Sequence, residues 1–180
     1  MYIIRHGVTD WNKDHRLQGR TDVPLNDEGR QMAEKAAVEY KAVHFDICFC
    51  SPLARAKETA QILLRGRNIP VVYDDRLVEM GFGKFEGRSN SYNNPELPLE
   101  KLFDPEEYNR SIEGSETFEE LFARTGAFIR EMVDPLLEEG KDVLIVGHGA
   151  MNSSIICRRR NMDIRDFWSV VMQQCKLVEI

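Results

Sequence analysis

Short, continuous apolar runs recur along the chain, and two of them end in the same way. Residues 2–4 (YII) lead into Arg-His-Gly, and residues 143–146 (VLIV) lead into Gly-His-Gly. Continuous apolar runs are typical of strands that are buried on both faces of a parallel sheet. The strands predicted in this way span residues 2–4, 45–50, 69–73 and 143–146, with 176–180 as a further candidate.

Helical periodicity fills most of the sequence between these runs. Apolar residues about 3.6 positions apart predict helices over residues 27–40, 52–64, 116–137, 150–160 and 163–168. In the second of these, Ser51 is the predicted N-cap and Pro52 the first helical residue, because serine caps helices and proline suits their first turn. Strands that alternate with helices predict an α/β layer fold with a mainly parallel central sheet.

The length of 180 residues predicts one domain, 1–180, with one core. Residues 84–114 interrupt the alternation of strands and helices. They contain Pro95, Pro98 and Pro105, which are three of the seven prolines, and show no apolar periodicity. A stretch of this length without clear elements is usually a lid or a binding excursion. We therefore expect this segment to cover a site or to set its specificity.

Charge is unevenly distributed along the chain. Lysine and arginine number 24 against 30 aspartates and glutamates, which gives a net charge of −6. Residues 96–120 hold nine carboxylates against two basic side chains, a balance of −7, so the remaining residues sum to +1. The negative total argues against nucleic acid or an anionic membrane as the partner. The near-neutral remainder still allows a local site for an anion.

Two further features predict a soluble cytoplasmic protein. No apolar run approaches the ~18 residues that span a bilayer, and no charged-then-apolar leader opens the chain. The four cysteines form no C-x-x-C pair, which predicts reduced thiols of the kind found in the cytosol. These cysteines are Cys48, Cys50, Cys157 and Cys175.

Four side chains suited to phosphate chemistry follow predicted strands. In open α/β sheets, ligands bind outside the carboxyl ends of the strands. His6 and His148 each lie at such an end, and Arg5 precedes His6. Arg55 lies in the first turn of a predicted helix, where backbone N–H groups and the helix dipole favour an anion. Guanidinium groups match phosphate oxygens two at a time, and a neutral histidine can attack phosphorus.

The other two histidines, His15 and His44, do not follow strands, and we expect both at the surface. Near the strand-end histidines, no pair of histidines, cysteines or carboxylates has the i,i+4 or C-x-x-C spacing of metal ligands. The sequence therefore predicts no metal site there.

Four ordered blocks resemble the signature of the histidine phosphatase superfamily, also called phosphoglycerate mutase-like. They are RHGxTxxN at residues 5–12 with Leu25 and Gly29, SPLxRAxxTA at 51–60, LxExxxGxFEG at 77–87, and VLIVGHG at 143–149. The ordered set is far more specific than Arg-His-Gly alone. The resemblance implies a three-layer α/β/α sandwich of the phosphoglycerate mutase-like type.

The resemblance also implies roles for the residues that match the blocks. His6 would be the nucleophile that becomes phosphohistidine. Arg5, Arg55 and His148 would hold the transferring phosphoryl group, and Asn12 would add a hydrogen bond. These donors would stabilise the negative charge on the phosphoryl oxygens while bonds change.

A carboxyl group is required to protonate the leaving oxygen and then to activate water. The resemblance gives this role to Glu79, with Glu86 as the rival carboxylate. The superfamily's acid phosphatase branch has an aspartate directly after the second histidine, where this chain has Gly149, and this favours Glu79. The residues that would approach the substrate are Thr9, Gln18, Gly19, Thr21 and Gly149.

Phosphomonoesterase activity on a small phosphate ester is the function that the resemblance implies, with no metal or organic cofactor. The alternative is a phosphoglycerate mutase that depends on 2,3-bisphosphoglycerate. Such mutases resemble the chain less, because they are longer, have His-Gly-Asn at His148-Gly149-Ala150 and have tyrosine at the position of Phe82. A non-catalytic phosphate-binding regulatory domain is a third interpretation. The sequence predicts neither the ester nor the oligomeric state.

Overall fold

A five-stranded sheet forms the centre of the fold. The computed structural model describes residues 1–88, 104–105, 108 and 114–180. The strands are β1 (Tyr2–Arg5), β2 (Ile47–Cys50), β3 (Val71–Tyr73), β4 (Val143–Gly147) and β5 (Leu177–Glu179). They lie in the order β3-β2-β4-β1-β5, in which β1 to β4 are parallel and β5 pairs antiparallel with β1. The predicted mainly parallel sheet is confirmed.

Helices cover both faces of this sheet. The α-helices of the described residues are α1 (Asp10–Lys13), α2 (Asp27–Glu39), α3 (Ala54–Leu63), α4 (Phe118–Phe128), α5 (Asp134–Glu138) and α6 (Gly149–Arg159). Short 3-10 helices span Asp75–Leu77, Gly83–Phe85 and Ile164–Val170. None of the helices in the described part of the chain has both the length and the apolar composition needed to cross a bilayer.

The two faces of the sheet carry separate cores, as expected of a three-layer fold. Successive strand residues point to opposite faces. Ile3 therefore belongs to the core shared with α4 and α6, whereas Ile4 belongs to the core shared with α2 and α3. The second core uses small residues, and alanines such as Ala33 and Ala56 are fully buried there, so these helices pack close to the sheet.

Two predicted helices differ from the observed ones. The helix expected over 116–137 is α4 and α5, which are joined by one π-helical turn at Ile129–Val133. Pro135 explains the interruption, because its nitrogen has no hydrogen to donate to the carbonyl four residues earlier. The segment predicted as a helix over 163–168 is the 3-10 helix Ile164–Val170.

Close backbone contact brings the start of α2 against the segment that follows β1. A Cβ on Gly29 would lie 2.1 Å from the carbonyl oxygen of Val8, and one on Gly7 would lie 2.5 Å from the carbonyl oxygen of Gly29. Only glycine allows two backbones to approach this closely. Both glycines are therefore required to hold the residues after His6 in place.

All four cysteines are buried and form no disulfide. Burial raises the pKa of the Cys48 and Cys175 thiols to about 12. Thiols with raised pKa values are poor nucleophiles at neutral pH, so these cysteines are part of the core and not of the chemistry.

Most of the predicted excursion over 84–114 lies outside the described residues, so its role stays a prediction. Just after this excursion, within the acidic segment over residues 96–120, Glu116 is buried and forms ion pairs with Arg124 (2.6 Å) and Arg20 (3.0 Å). At least this member of the acidic segment is therefore neutralised by arginines.

Candidate active site

His6 lies at the carboxyl end of β1, as the sequence predicts. Its backbone N–H donates to the carbonyl oxygen of Gly147 at 3.0 Å, which ties it to the end of β4. The side chain is 2% exposed, and its Nδ1 lies 2.6 Å from the carbonyl oxygen of Gly7. Because a carbonyl can only accept, Nδ1 carries the proton. The lone pair of the neutral ring is therefore on Nε2.

Two neutral imidazoles lie side by side at this edge of the sheet. The ring centroids of His6 and His148 are 5.1 Å apart. Burial is the main cause that lowers the pKa of His6 well below its usual value, and the charges of Arg55 and Arg5 add to it. Burial and Arg55 likewise lower the pKa of His148. Both rings are therefore uncharged at neutral pH.

Arg5 is held by the segment that follows the last 3-10 helix. Its guanidinium donates to the carbonyl oxygen of Met172 at 3.0 Å, and its own carbonyl accepts the N–H of Cys175 at 2.9 Å. Burial lowers the pKa of Arg5, and the charge of Glu79 acts in the opposite direction. The arginine is thus fixed at both its backbone and its side chain.

Arg55 is fully buried in the first turn of α3. Its two terminal nitrogens donate to the carbonyl oxygens of Thr21 (2.9 Å) and Gly19 (2.7 Å). Burial lowers the pKa of Arg55 to about 10, against the opposing charges of Glu79, Asp22 and Glu86. The loop over residues 19–21 therefore positions this guanidinium through uncharged carbonyl groups and not through a direct ion pair.

The predicted N-terminus of this helix is wrong. The helix begins at Ala54 with Leu53 as its N-cap, two residues after the predicted start at Pro52. The side chain of Asp22 accepts the N–H of Ala54 at 2.6 Å. Ser51 is not the N-cap, because Leu53 still has an extended backbone (φ −70°, ψ 139°). The Ser51 hydroxyl accepts the N–H of Leu53 at 3.3 Å and lies 2.7 Å from Nε2 of His148.

Glu79 lies at the N-terminus of α6, close to Arg5. One carboxylate oxygen accepts the N–H groups of Gly149 (2.9 Å) and Ala150 (3.3 Å), and the other accepts those of Met151 (3.0 Å) and its neighbour Met80 (2.9 Å). The first N–H groups of a helix have no partner inside the helix and bind anions well. The start of α6 therefore fixes this carboxylate beside the second histidine.

Asn12, Thr9 and Gln18 form one hydrogen-bonded group in the segment that follows His6. Asn12 Oδ1 accepts the backbone N–H (3.1 Å) and the hydroxyl (3.2 Å) of Thr9 in the capping box of α1. The Thr9 hydroxyl also lies 2.9 Å from Oε1 of Gln18. These bonds assign Oδ1 as the accepting end of the Asn12 amide, so Nδ2 is its donor.

Three buried nitrogens of this site have no hydrogen-bond partner within the described residues. They are Nε of Arg5, Nε of Arg55 and Nδ1 of His148. Buried donors in folded proteins are normally paired. Three unpaired nitrogens beside one neutral histidine are suited to a ligand with several anionic oxygens.

Comparison with known proteins agrees with this arrangement. The family model of the histidine phosphatase superfamily (branch 1) matches residues 1–180. The chain belongs to this superfamily. The resemblance recognised in the four sequence blocks is thereby confirmed.

Both phosphatases and mutases of the superfamily are related to the chain. It is 36% identical to the uncharacterized phosphatase PhoE of Bacillus subtilis over 149 residues, which cover 82% of this chain and 70% of that protein. It is 32% identical to a 2,3-bisphosphoglycerate-dependent phosphoglycerate mutase of Cytophaga hutchinsonii over 152 residues, 83% and 71% of the two chains. The α-ribazole phosphatase of Shigella flexneri superposes with a TM-score of 0.80 at 29% identity, covering 98% and 87%.

Some contacts of this site were missed by sequence reasoning. Ser51 was interpreted only as a cap, although its place at the carboxyl end of β2 was a signal that it faces the site. Thr59 accepts the N–H of Gly7 at 3.1 Å and donates to the carbonyl of Arg55 at 2.7 Å. The Met172 carbonyl had no sequence signal, because any residue supplies a carbonyl.

The two buried histidines should make this protein lose stability in mild acid. In the unfolded chain a histidine binds a proton near pH ~6.5, whereas His6 and His148 stay neutral in the folded protein to much lower pH. As the pH falls below ~6.5, each should therefore remove about 1.4 kcal/mol of unfolding free energy per pH unit.

Urea unfolding at pH values between 7 and 5 measures this dependence. His6→Asn should remove the contribution of one histidine from the slope, while His15→Asn at an exposed position should leave the slope unchanged. Equal slopes for His6→Asn and the parent protein would show that His6 is not held neutral.

Proposed function

We propose that this chain hydrolyses small phosphate monoesters through a phosphohistidine intermediate on His6. The observation that carries the proposal is the buried, neutral ring whose Nδ1–H is held by the carbonyl of Gly7 at 2.6 Å. This contact directs the nucleophilic Nε2 away from the backbone. Arg5 and Arg55 supply positive charge beside it. A histidine of this kind divides one difficult displacement into two easier steps.

In the first step, Nε2 of His6 attacks phosphorus while the bond from phosphorus to the leaving oxygen breaks. Glu79 enters this step as the protonated carboxyl group and gives its proton to that oxygen, so an alcohol leaves, the enzyme holds a phosphohistidine, and Glu79 becomes the carboxylate that the N–H groups of α6 bind. Arg5, Arg55 and His148 donate hydrogen bonds to the phosphoryl oxygens as their charge changes. Preorganised donors of this kind cost no rearrangement at the moment of reaction.

The second step returns the enzyme to its starting state. Water attacks phosphorus, the Glu79 carboxylate takes a proton from the water, and the bond between phosphorus and Nε2 of His6 breaks. Inorganic phosphate leaves. The backbone N–H groups at the start of α6 fix the Glu79 carboxylate for this role.

Ser51 supports the donor role of His148. In the arrangement that we propose, the Ser51 hydroxyl accepts the N–H of Leu53 and donates to Nε2 of His148 across 2.7 Å. The imidazole proton then lies on Nδ1, the nitrogen that has no partner among the described residues. This tautomer makes His148 a neutral donor to a phosphoryl oxygen.

The proposal includes no metal ion and no organic cofactor, because the arginines supply the positive charge that phosphoryl transfer requires. A small-molecule ester is the expected substrate. The net charge of −6 does not favour nucleic acid as a partner.

Phosphoglycerate mutase activity is the second candidate, and the mutase among the relatives supports it. Two local features favour hydrolysis instead. Gly149 and Ala150 follow the second histidine, so no side-chain amide is present there to hold a carboxylated substrate. Phe82 is buried and carries no hydroxyl to bind one.

Turnover assays on the purified protein test these candidates. We expect p-nitrophenyl phosphate to be hydrolysed, and 3-phosphoglycerate to release phosphate without forming 2-phosphoglycerate. Interconversion of the two phosphoglycerates that requires 2,3-bisphosphoglycerate would show a mutase. Phosphate binding without turnover of any ester in a broad panel would show a binding domain.

A further inference from the structure

Glu86 makes an unusual number of contacts for a half-exposed carboxylate. One oxygen accepts the backbone N–H groups of Arg20 (3.0 Å) and Phe82 (3.1 Å). The other accepts the backbone N–H (2.9 Å) and the hydroxyl (2.6 Å) of Thr21. Hydrogen bonds to an ionised acceptor are about twice as strong as neutral ones. Three of the four come from Arg20 and Thr21, so Glu86 is the organising group of the loop over residues 19–21.

The same loop holds the most deeply buried arginine of the site. The carbonyls of Gly19 and Thr21 accept the two terminal nitrogens of Arg55 at 2.7 and 2.9 Å. Glu86 accepts the N–H of Arg20, which belongs to the same peptide group as the Gly19 carbonyl, and the N–H of Thr21, which belongs to the next peptide group. The positions of the two carbonyls that bind Arg55 therefore depend on the Glu86 carboxylate.

Gly19 shows how tightly the carboxylate fits the loop. A Cβ on Gly19 would lie 2.1 Å from a carboxylate oxygen of Glu86. The φ angle of Gly19 is +54°, in the left-handed region that glycine adopts most readily. Only glycine therefore allows the loop to close on Glu86.

Backbone hydrogen bonds anchor the neighbouring chain independently of the carboxylate. The N–H of Gly87 donates to the carbonyl of Leu17 at 2.8 Å, and the N–H of Leu17 donates to the carbonyl of Arg88 at 3.1 Å. A change at the Glu86 side chain should therefore disturb the 19–21 loop without separating the two segments.

We infer that Glu86 is a positioning residue that sets the place of the Arg55 guanidinium by ordering the loop over residues 19–21. The inference rests on the proposed function, since it assigns Arg55 to the phosphoryl group. The Glu86 carboxylate therefore acts through Arg55 and does not give a proton to the leaving group. A displacement of about 1 Å at such a group can lower a rate by about 10²-fold.

Glu86→Gln is the variant that tests this. Its side chain keeps the size of Glu86 but replaces one acceptor oxygen with an NH₂ group, which would face at least one backbone N–H donor in either orientation of the amide. We expect kcat/KM for p-nitrophenyl phosphate to fall about 10- to 100-fold, and inorganic phosphate to bind more weakly. Thr21→Val removes only the hydroxyl bond and should give a smaller loss in the same direction.

Asp46→Asn is the matched control. Its carboxylate also accepts a backbone N–H, that of Asp142 at 2.8 Å, but it lies before β2 at the opposite edge of the sheet. It should leave kcat/KM and phosphate binding unchanged. A loss equal to that of Glu86→Gln would show a general effect of removing a carboxylate that binds backbone N–H groups, and would overturn the inference.

A double-mutant cycle with Arg55→Lys gives the decisive result. If Glu86 acts through Arg55, Glu86→Gln should lower kcat/KM by less than about 3-fold in the Arg55→Lys background. Retention of the full loss there would overturn the inference. So would the disappearance of one limb of the pH–rate profile in Glu86→Gln, since that marks a proton donor.

Phosphate binding, measured by titration calorimetry, tests the positioning role of Glu86 independently of the proposed ester hydrolysis. It needs no turnover, so weaker binding by Glu86→Gln supports the positioning role even if the parent protein hydrolyses no ester. Unchanged phosphate affinity in both Glu86→Gln and Thr21→Val would overturn it whatever the activity of the parent protein.

Discussion

Replacing His6 with alanine should abolish phosphate-ester hydrolysis. We expect kcat for p-nitrophenyl phosphate to fall by about 10³-fold or more, because the variant has no atom that can form the covalent intermediate. The arginines and His148 remain, so the variant should still bind inorganic phosphate. Steady-state kinetics and titration calorimetry on the same preparation measure the two effects separately.

His15→Ala is the control for this experiment, because His15 is exposed and lies outside the site. It should retain the full activity of the parent protein. If His6→Ala retained activity as well, the nucleophile would be another group. Loss of phosphate binding together with activity would indicate that the substitution damaged the site as a whole.

Arg55→Lys should produce the second large effect. Lysine keeps the positive charge, but its ammonium group lacks the planar fork of donors of arginine. It therefore cannot bind the carbonyls of Gly19 and Thr21 and a phosphoryl oxygen at the same time. We expect kcat/KM to fall about 10²- to 10³-fold, the range seen when one donor to a developing charge is removed. A buried carbonyl left unpaired should also lower the unfolding free energy by about 1–3 kcal/mol.

The two effects of Arg55→Lys can be measured on one sample. Kinetics should be recorded well below the unfolding transition, and denaturant unfolding should give the stability. Arg65→Lys, at an exposed position just after α3, should change neither. An Arg55→Lys variant with normal kcat/KM and lowered stability would limit Arg55 to a structural role.

The sequence predicted the edge of the sheet where the site lies. His6 and His148 follow apolar runs, and parallel strands place their carboxyl ends at one edge of a sheet, so both were expected at that edge. The structure adds that β1 and β4 are neighbours, which brings the two rings together. Arg55 was placed correctly in the first turn of α3, although the start of that helix was two residues too early. The error arose because Leu53 keeps an extended backbone, so the helix does not begin until Ala54.

The contacts that position the arginines could not be predicted. Arg5 is held by the carbonyl of Met172 and Arg55 by the carbonyls of Gly19 and Thr21. Any residue type supplies a carbonyl, so the sequence carries no mark of these partners. The contacts of Glu86 were missed for a related reason, because its partners are mainly backbone N–H groups far from it in sequence.

Trapping of the phosphoenzyme tests the central claim most directly. The protein should be mixed with p-nitrophenyl phosphate, quenched in alkali within the first turnover, digested and analysed by mass spectrometry. The proposed mechanism predicts one phosphoryl group on the peptide that contains His6, stable in alkali and lost in acid, and absent from His6→Ala. Turnover with no phosphopeptide at short times, or a phosphoryl group on another residue, would contradict it.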